Sequence, residues 1–426
     1  MSVTILRGNI CHTPRPEAVS VARNAYLVCE DGLCRGIFDA LPAAYAGAPV
    51  TECGHCLIIP GLVDLHLHAP QFTYRGTGMD CELLEWLTTR TFPEEARFSD
   101  LTYAARAYGI FADQMKRSAT TRASMFGTIH REASLLLMDL MEQTGLVSYV
   151  GKVNMDRNAP SKLLEGTPEQ AARETAQFTA EALDRQYRNT RPILTPRFIP
   201  SCTDELLRAL KGVQRKYALP MQSHLSENPD EVALVHELAP EARFYGDAYA
   251  RFGLFGGDVP TIMAHCIYST EGEIEMMLER GVWVAHCPNS NLNIASGIAP
   301  IRKYLRRGLR VGLGSDVAGG QTESMFRAIT DAIQVSKMHW RYADKGQRPL
   351  SFSEGFYLAT KGGGSFFGKV GSFEPGFEFD ALVIDDSIAP TPKDLSLEDR
   401  LERAVYLGLD RDGIRAKYVR GEKILG

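Results

Sequence analysis

Four apolar segments of this chain end in residue types that bind metals, and that recurrence restricts the fold more than any other feature. Residues 59–63 run into Asp64, His66 and His68; residues 220–223 end at His224; residues 261–264 end at His265; residues 311–315 end at Asp316. Histidines spaced i, i+2 on a β-strand point to the same face. Two neutral imidazoles converging at a strand end can bind a divalent metal. One His or Asp at a strand end is usually structural, but packing does not explain four strands that deliver such residues at the same relative position. In a (β/α)8 barrel the C-terminal ends of all strands meet at one mouth, so residues far apart in sequence become neighbours there.

The rest of the central chain has the alternating strand–helix pattern of a parallel barrel. Eight apolar strand candidates start near Leu57, Ala119, Val147, Pro192, Met221, Thr261, Val282 and Val311, and eight is the number that closes a barrel. A helix is predicted over residues 168–188, with Thr167 as N-cap and Pro168 at the first helical position. Thr203-Asp204-Glu205 opens the next helix. Asn228-Pro229-Asp230-Glu231 opens another, directly after His224 and Glu227. The first crossover, from Gln71 to about Arg117, is long and contains Leu83-Leu84-Glu85-Trp86-Leu87 and Thr91-Phe92-Pro93. Extra length after a ligand-bearing strand predicts a lid or a substrate wall.

Both ends of the chain read differently. Residues 1–58 are short strands punctuated by Asp31-Gly32 and Gly47, and the chain turns strand-like again after Gly376. The predicted architecture is therefore α/β. A (β/α)8 TIM-like barrel over residues 59–373 carries a small β-sandwich domain formed by residues 1–58 and 374–426 of the two termini.

Composition narrows the function classes. With 44% hydrophobic and 23% charged residues over 426 positions, the chain reads as a soluble globular protein. A net charge of −5 argues against a nucleic-acid-binding surface. No stretch approaches the roughly 18 apolar residues of a membrane span, and residues 3–10 lack the basic start and long apolar core of a signal peptide. The expectation is a cytoplasmic protein with no membrane and no nucleic-acid partner. Nine cysteines, an odd number and mostly in apolar runs, read as reduced thiols. Cys29, Cys34, Cys53 and Cys56 have the arrangement of two zinc knuckles. Because Cys29 and Cys34 flank the Asp31-Gly32 hairpin signal, a structural zinc site is set aside. Cys266 and Cys287 are read as packing thiols.

Taken together, the motifs resemble the guanine deaminase family of the amidohydrolase superfamily over nearly the whole chain. The superfamily pattern is Pro60-Gly61-Leu62-Val63-Asp64 with His66 and His68, then His224, His265 and Gly312-Leu313-Gly314-Ser315-Asp316. The narrower match rests on several stretches: Leu84-Glu85-Trp86-Leu87 with Thr91-Phe92-Pro93, Gly151-Lys152-Val153, Thr195-Pro196-Arg197-Phe198 and Ser223-His224-Leu225-Ser226-Glu227-Asn228. Ala285-His286-Cys287-Pro288-Asn289-Ser290-Asn291 and Asp316-Val317-Ala318-Gly319-Gly320 complete it. Two departures, Ser315 where threonine is common and Cys266-Ile267 after His265, remove no ligand.

The resemblance implies the zinc-dependent conversion of guanine to xanthine and ammonia in purine catabolism. It assigns one Zn²⁺ per chain, or iron on the same donors, to His66, His68, His224 and Asp316. His265 is either a further ligand or a partner of the metal-bound water. It makes Glu227 a proton shuttle and Asp316 a second proton acceptor, against the plainer reading of Glu227 as a helix-start carboxylate. Gln71 and Arg197 become purine-recognition residues. Phe198 stacks on the base or packs, and Trp86 closes over the base or packs. His130, Asp156 and His286 receive no step. The family also implies a homodimer. The alternatives are another amidohydrolase, acting on a related aminopurine, triazine or pterin, and a non-catalytic scaffold, which would be expected to have lost metal ligands.

Overall fold

Two four-stranded parallel arcs make the barrel in a computed structural model that describes residues 2–426. One arc pairs Leu62–His68, Thr120–Phe126, Val147–Gly151 and Thr190–Pro192 in that order. The other pairs Met221–Leu225, Thr261–His265, Trp283–His286 and Arg310–Leu313. A bridge between Leu194 and Met221 joins the arcs at one seam. At the other, Asp316 N–H donates to the His66 carbonyl at 2.8 Å and His68 N–H to the Val317 carbonyl at 2.9 Å. Val63, Leu65, Ile193, Ile262, Ala264, Trp283 and Ala285 fill the interior, so the barrel is a packed core and not a pore.

The helices begin where the sequence places them. Thr167 and Gln170 form a capping box on Pro168–Asp184, Thr203 caps Asp204–Tyr217, and Asn228 with Glu231 forms a second capping box on Pro229–Leu238. The long first crossover breaks into short helical turns, including Leu83–Trp86 and Phe92–Glu95, before the crossover helix Leu101–Arg117.

Two strand boundaries differ from expectation. The first barrel strand starts at Leu62, not Leu57. Residues 57–60 belong to the strand Val50–Pro60, which pairs antiparallel with Ala381–Ile384 of the terminal sheet. Gly61 marks the changeover, and a Cβ there would sit 2.2 Å from the Thr121 hydroxyl, so no side chain fits. The fourth strand is split into Thr190–Pro192 and Thr195–Pro196, at the same height as the third, which breaks into Val147–Gly151 and Val153–Asn154.

The first barrel strand also carries a bulge. Asp64 pairs with Ala123 but Leu67 with Met125, so the strand holds one extra residue in between. Val63 and Leu65 face the barrel interior, whereas Leu67 packs outward against the helices. The bulge reverses the alternation and sends both His66 and His68 into the mouth.

The termini form one seven-stranded sheet in the order Glu422–Leu425, Ile414–Val419, Ala381–Ile384, Val50–Pro60, Val3–Arg15, Ala18–Glu30 and Leu33–Phe38. Asp31 and Gly32 both have positive φ, 49° and 78°, as a two-residue hairpin turn requires. Cys34 and Tyr418, from strands near opposite ends of the sheet, belong to one apolar cluster with Leu6, Leu27, Ile58 and Phe379. The sheet thus curls over a core of its own. A buried ion network ties it to the barrel: Arg122 of the second barrel strand, 1% exposed, donates through Nε to Asp380 at 2.6 Å and through Nη2 to Glu378 at 2.9 Å.

Candidate active site

The imidazoles and carboxylate that end the strands meet at the barrel mouth. His66 Nε2 lies 3.2 Å from Asp316 Oδ1, and His68 Nε2 lies 3.5 Å from the same oxygen. His68 Nε2 and His224 Nε2 face each other at 3.2 Å. His265 Nε2 stands 3.7 Å from Asp316 Oδ2. All five side chains are buried. The potential ligand atoms of His66, His68 and His224 lie within 4.8 Å of one another, as do those of His66, His265 and Asp316.

The outer ring nitrogens decide which tautomers are present. His224 Nδ1 is 2.6 Å from the Arg197 carbonyl, and His265 Nδ1 is 2.8 Å from Asn291 Oδ1. Both partners accept, so each Nδ1 carries the proton and each Nε2 is the nitrogen turned toward the cluster. Burial holds the imidazoles of His68 and His224 well below their ordinary pKa, so both are neutral. Burial pushes Asp316 up, but a proton held on the surrounding imidazoles, His66 first, outweighs it and keeps the carboxyl below its usual range. His66 Nε2 and His265 Nε2 are buried with no hydrogen-bond partner among the described residues. Imidazole Nε2 atoms turned inward, those of His68 and His224 on neutral rings, and one carboxylate make a donor set that fits a divalent ion such as zinc, and iron accepts it as well.

The backbone at these positions is unusual. His265, Asp316 and Ser226 have φ of 71°, 46° and 48°, a left-handed conformation that costs non-glycine residues and concentrates at functional sites. Asp64, to which the motifs give no role, accepts hydrogen bonds from Ser315 N at 3.0 Å and His66 N at 3.2 Å. It clamps the end of the last strand against the first, and its burial raises its pKa to about 7.

One cavity opens above this cluster. His68, His224, His265 and Asp316 line it, with Glu227, Gln71, Arg197, Phe198 and Trp86 around them; His66 lies beneath, fully buried. Leu83, Leu87 and Ile294 add apolar wall, and the sequence alone does not single them out. The first crossover supplies Gln71, Leu83, Trp86 and Leu87, so it is a wall of the cavity, as its length predicts. Trp86 Nε1 is buried without a partner among the described residues. Glu227 Oε2 lies 3.4 Å from His265 Nε2, and Glu227 Oε1 accepts from Ser296 Oγ at 3.1 Å. Burial, reinforced by the Asp316 charge, raises the Glu227 pKa well above the carboxylate range, which favours its protonated form. Glu231 accepts from the backbone N–H groups of Glu227 and Asn228 at 2.9 and 3.2 Å and holds the loop in place.

The remaining candidates stand outside the cavity wall. His130 precedes the helix Arg131–Thr144. Asp156 accepts from Thr203 N at 2.8 Å, anchoring the start of the next helix. His286 is buried with neither ring nitrogen bonded among the described residues, and burial lowers its pKa to about 3. Ser296, Asn291, Glu231 and Glu95 are the polar residues that sequence reasoning misses. For Asn291 and Glu95 a signal exists, since both sit in or beside the motifs that carry the family resemblance.

A barrel with this ligand set at its mouth and a terminal β-sheet appended is the architecture of the metal-dependent hydrolases. The profile of the Amidohydrolase family matches residues 57–421, and the chain belongs to that family. It is 40% identical to the guanine deaminase of Dictyostelium discoideum over 88% of this chain and 84% of that protein. It is 38% identical to the guanine deaminase of Homo sapiens over 87% and 83%. Among solved structures, guanine deaminase from C. acetobutylicum, with guanine bound in its active site, superposes with a TM-score of 0.96 at 45% identity over the full length of both chains.

Proposed function

We infer that this protein is a guanine deaminase, a hydrolase that exchanges the C2 amino group of guanine for oxygen and releases xanthine and ammonia. The observation that carries the reading is the 45% identity and full-length superposition with an enzyme solved with guanine in its active site. The polar groups around the cavity of this chain support it.

In this reading His66, His68, His224 and Asp316 hold one zinc ion, or iron on the same donors, with His265 as a further ligand or as partner of the attacking water. When bound, the ion lowers the pKa of water and supplies a nucleophile at neutral pH. The chain's own groups do the rest. Asp316 Oδ2 takes the proton of the attacking water. Glu227, protonated at the start, gives its proton to ring N3 as C2 becomes tetrahedral. The Glu227 carboxylate then takes the proton of the new C2 hydroxyl and passes it to the amine, which leaves as ammonia as the C2 carbonyl forms, and the proton held by Asp316 returns to Glu227. Arg197 and Gln71 donate to O6 and to N7 on the same edge, holding C2 toward the ligands. Phe198 and Trp86 flank the ring, and Leu83, Leu87 and Ile294 help exclude water.

The sheet pairing supports a division into a small domain built from both termini and a central barrel; the expected boundary at 58/59 moves to Gly61, because Ile59 and Pro60 still pair with the terminal sheet. No helix among the described residues is long and apolar enough to cross a membrane. By family resemblance we place the enzyme in the cytoplasm, as a homodimer acting in purine catabolism.

Purified protein incubated with guanine should lose guanine absorbance while xanthine and ammonia accumulate in equal amounts. Metal-loaded protein that leaves guanine intact but hydrolyses a triazine or a pterin would overturn the assignment within the family.

A further inference from the structure

Beneath the purine wall lies a carboxylate that no step above uses. Glu95 is 2% exposed and does not line the cavity. Its Oε1 accepts from Gln71 Nε2 at 2.9 Å, and its Oε2 accepts from Arg197 Nη1 at 2.6 Å. Gln71 Oε1 accepts in turn from the backbone N–H of Ala318 at 3.3 Å.

The direction of these bonds is forced. A backbone N–H and a guanidinium only donate. The Gln71 amide therefore turns its oxygen to Ala318 and its nitrogen to Glu95, and position 95 must accept on both sides. Only a carboxylate does this. A glutamine at 95 would set its own NH2 against either the guanidinium or the Gln71 nitrogen, and flipping Gln71 would set that nitrogen against Ala318 N–H. No arrangement of two amides satisfies the chain of donors.

The consequence reaches the cavity. The Arg197 side chain makes no other hydrogen bond among the described residues, so its remaining N–H groups and the second N–H of Gln71 are donors without an acceptor. A wall of donors takes an oxo group and a bare ring nitrogen and rejects a substituent that itself donates. Glu95 also compensates the charge of Arg197, which otherwise shares the cavity with Glu227 and Asp316.

We propose that Glu95 is the positioning residue that sets the donor polarity of the purine wall, so that selection of a 6-oxopurine over a 6-aminopurine is exerted through Arg197 and Gln71 by a group that does not touch the substrate. The proposal rests on the guanine reading, which wild-type turnover tests separately. Inactive wild type removes that reading, whereas active wild type with an indifferent position 95 removes only this inference.

The test is Glu95→Gln, alone and combined with Arg197→Ala, with bound metal and melting temperature measured on the same samples. Two competitive ligands, hypoxanthine with its 6-oxo group and unsubstituted purine, are compared. The expected result is retained metal, a loss of about 5- to 150-fold in guanine kcat/KM, and a similar loss of hypoxanthine affinity. Purine, which keeps the ring nitrogen but lacks the oxo group, should lose distinctly less affinity than hypoxanthine, and the same substitution should cost little more once Arg197 is already absent. A merely structural residue would weaken both ligands alike and add its full cost to Arg197→Ala. Either result, or wild-type guanine turnover in Glu95→Gln, overturns the proposal. If Glu95→Gln does not fold, Glu95→Asp, which draws the acceptor back by one methylene, carries the same comparison of ligands with the same deciding outcomes.

Discussion

The carboxylate of Glu227 stands 3.4 Å from the Nε2 of His265. Glu227 lies just before a helix, where a carboxylate is stabilised by the helix dipole when exposed. Here it is buried, turned to the cavity and pushed toward its protonated form by burial and by Asp316. Glu227→Gln keeps the shape but cannot exchange protons. We expect it to retain metal and guanine binding while kcat falls by at least about 10²-fold, the scale of general acid–base catalysis. Metal analysis and steady-state kinetics on one preparation check this, and a near wild-type kcat would return Glu227 to a structural role.

The convergence of imidazole nitrogens and the Asp316 carboxylate predicts about one equivalent of zinc or iron per chain. Chelation should abolish turnover and added zinc should restore it. His66→Ala and Asp316→Ala should each lose metal and activity together. Full activity in verified metal-free protein would end the mechanism.

Arg197 and Gln71 both line the cavity, and both are almost fully buried. An unpaired buried polar group costs about 1–3 kcal/mol. Arg197→Ala and Gln71→Ala should therefore each lower guanine kcat/KM by roughly 5- to 150-fold with metal content unchanged. Adenine should be a poor wild-type substrate, because bringing its C6 amino group to the ligands turns its other edges away from these donors. Equal wild-type rates on guanine and adenine would remove the recognition role.

Arg122 joins the barrel to the terminal sheet through Asp380 and Glu378. Removing one partner of a buried pair leaves a charge uncompensated and costs roughly 3–5 kcal/mol. Arg122→Leu should lower the urea midpoint accordingly while kcat per bound metal stays near wild type. A variant of unchanged stability would mean that this ion network adds nothing to the join between the terminal sheet and the barrel.

The features of this protein that are local in the chain are legible in its sequence. The spacing of His66 and His68, the strand-end positions of His224, His265 and Asp316, the helix caps at Thr167, Thr203 and Asn228, and the Asp31-Gly32 turn depend on neighbours within a few residues. Side-chain period and capping chemistry act at that range. Tertiary structure alone decides which way each group faces and what it meets. The bulge that turns His66 and His68 into the mouth exists only as a mismatch with the neighbouring strand. Residues 57–60 are as apolar as a barrel strand, and pairing with Ala381–Ile384 is what assigns them to the terminal sheet. Glu95 finds Gln71 24 residues away and Arg197 102 residues away. Such contacts are made by closure of the barrel, which brings strand ends together whatever their separation along the chain, and no local pattern encodes them.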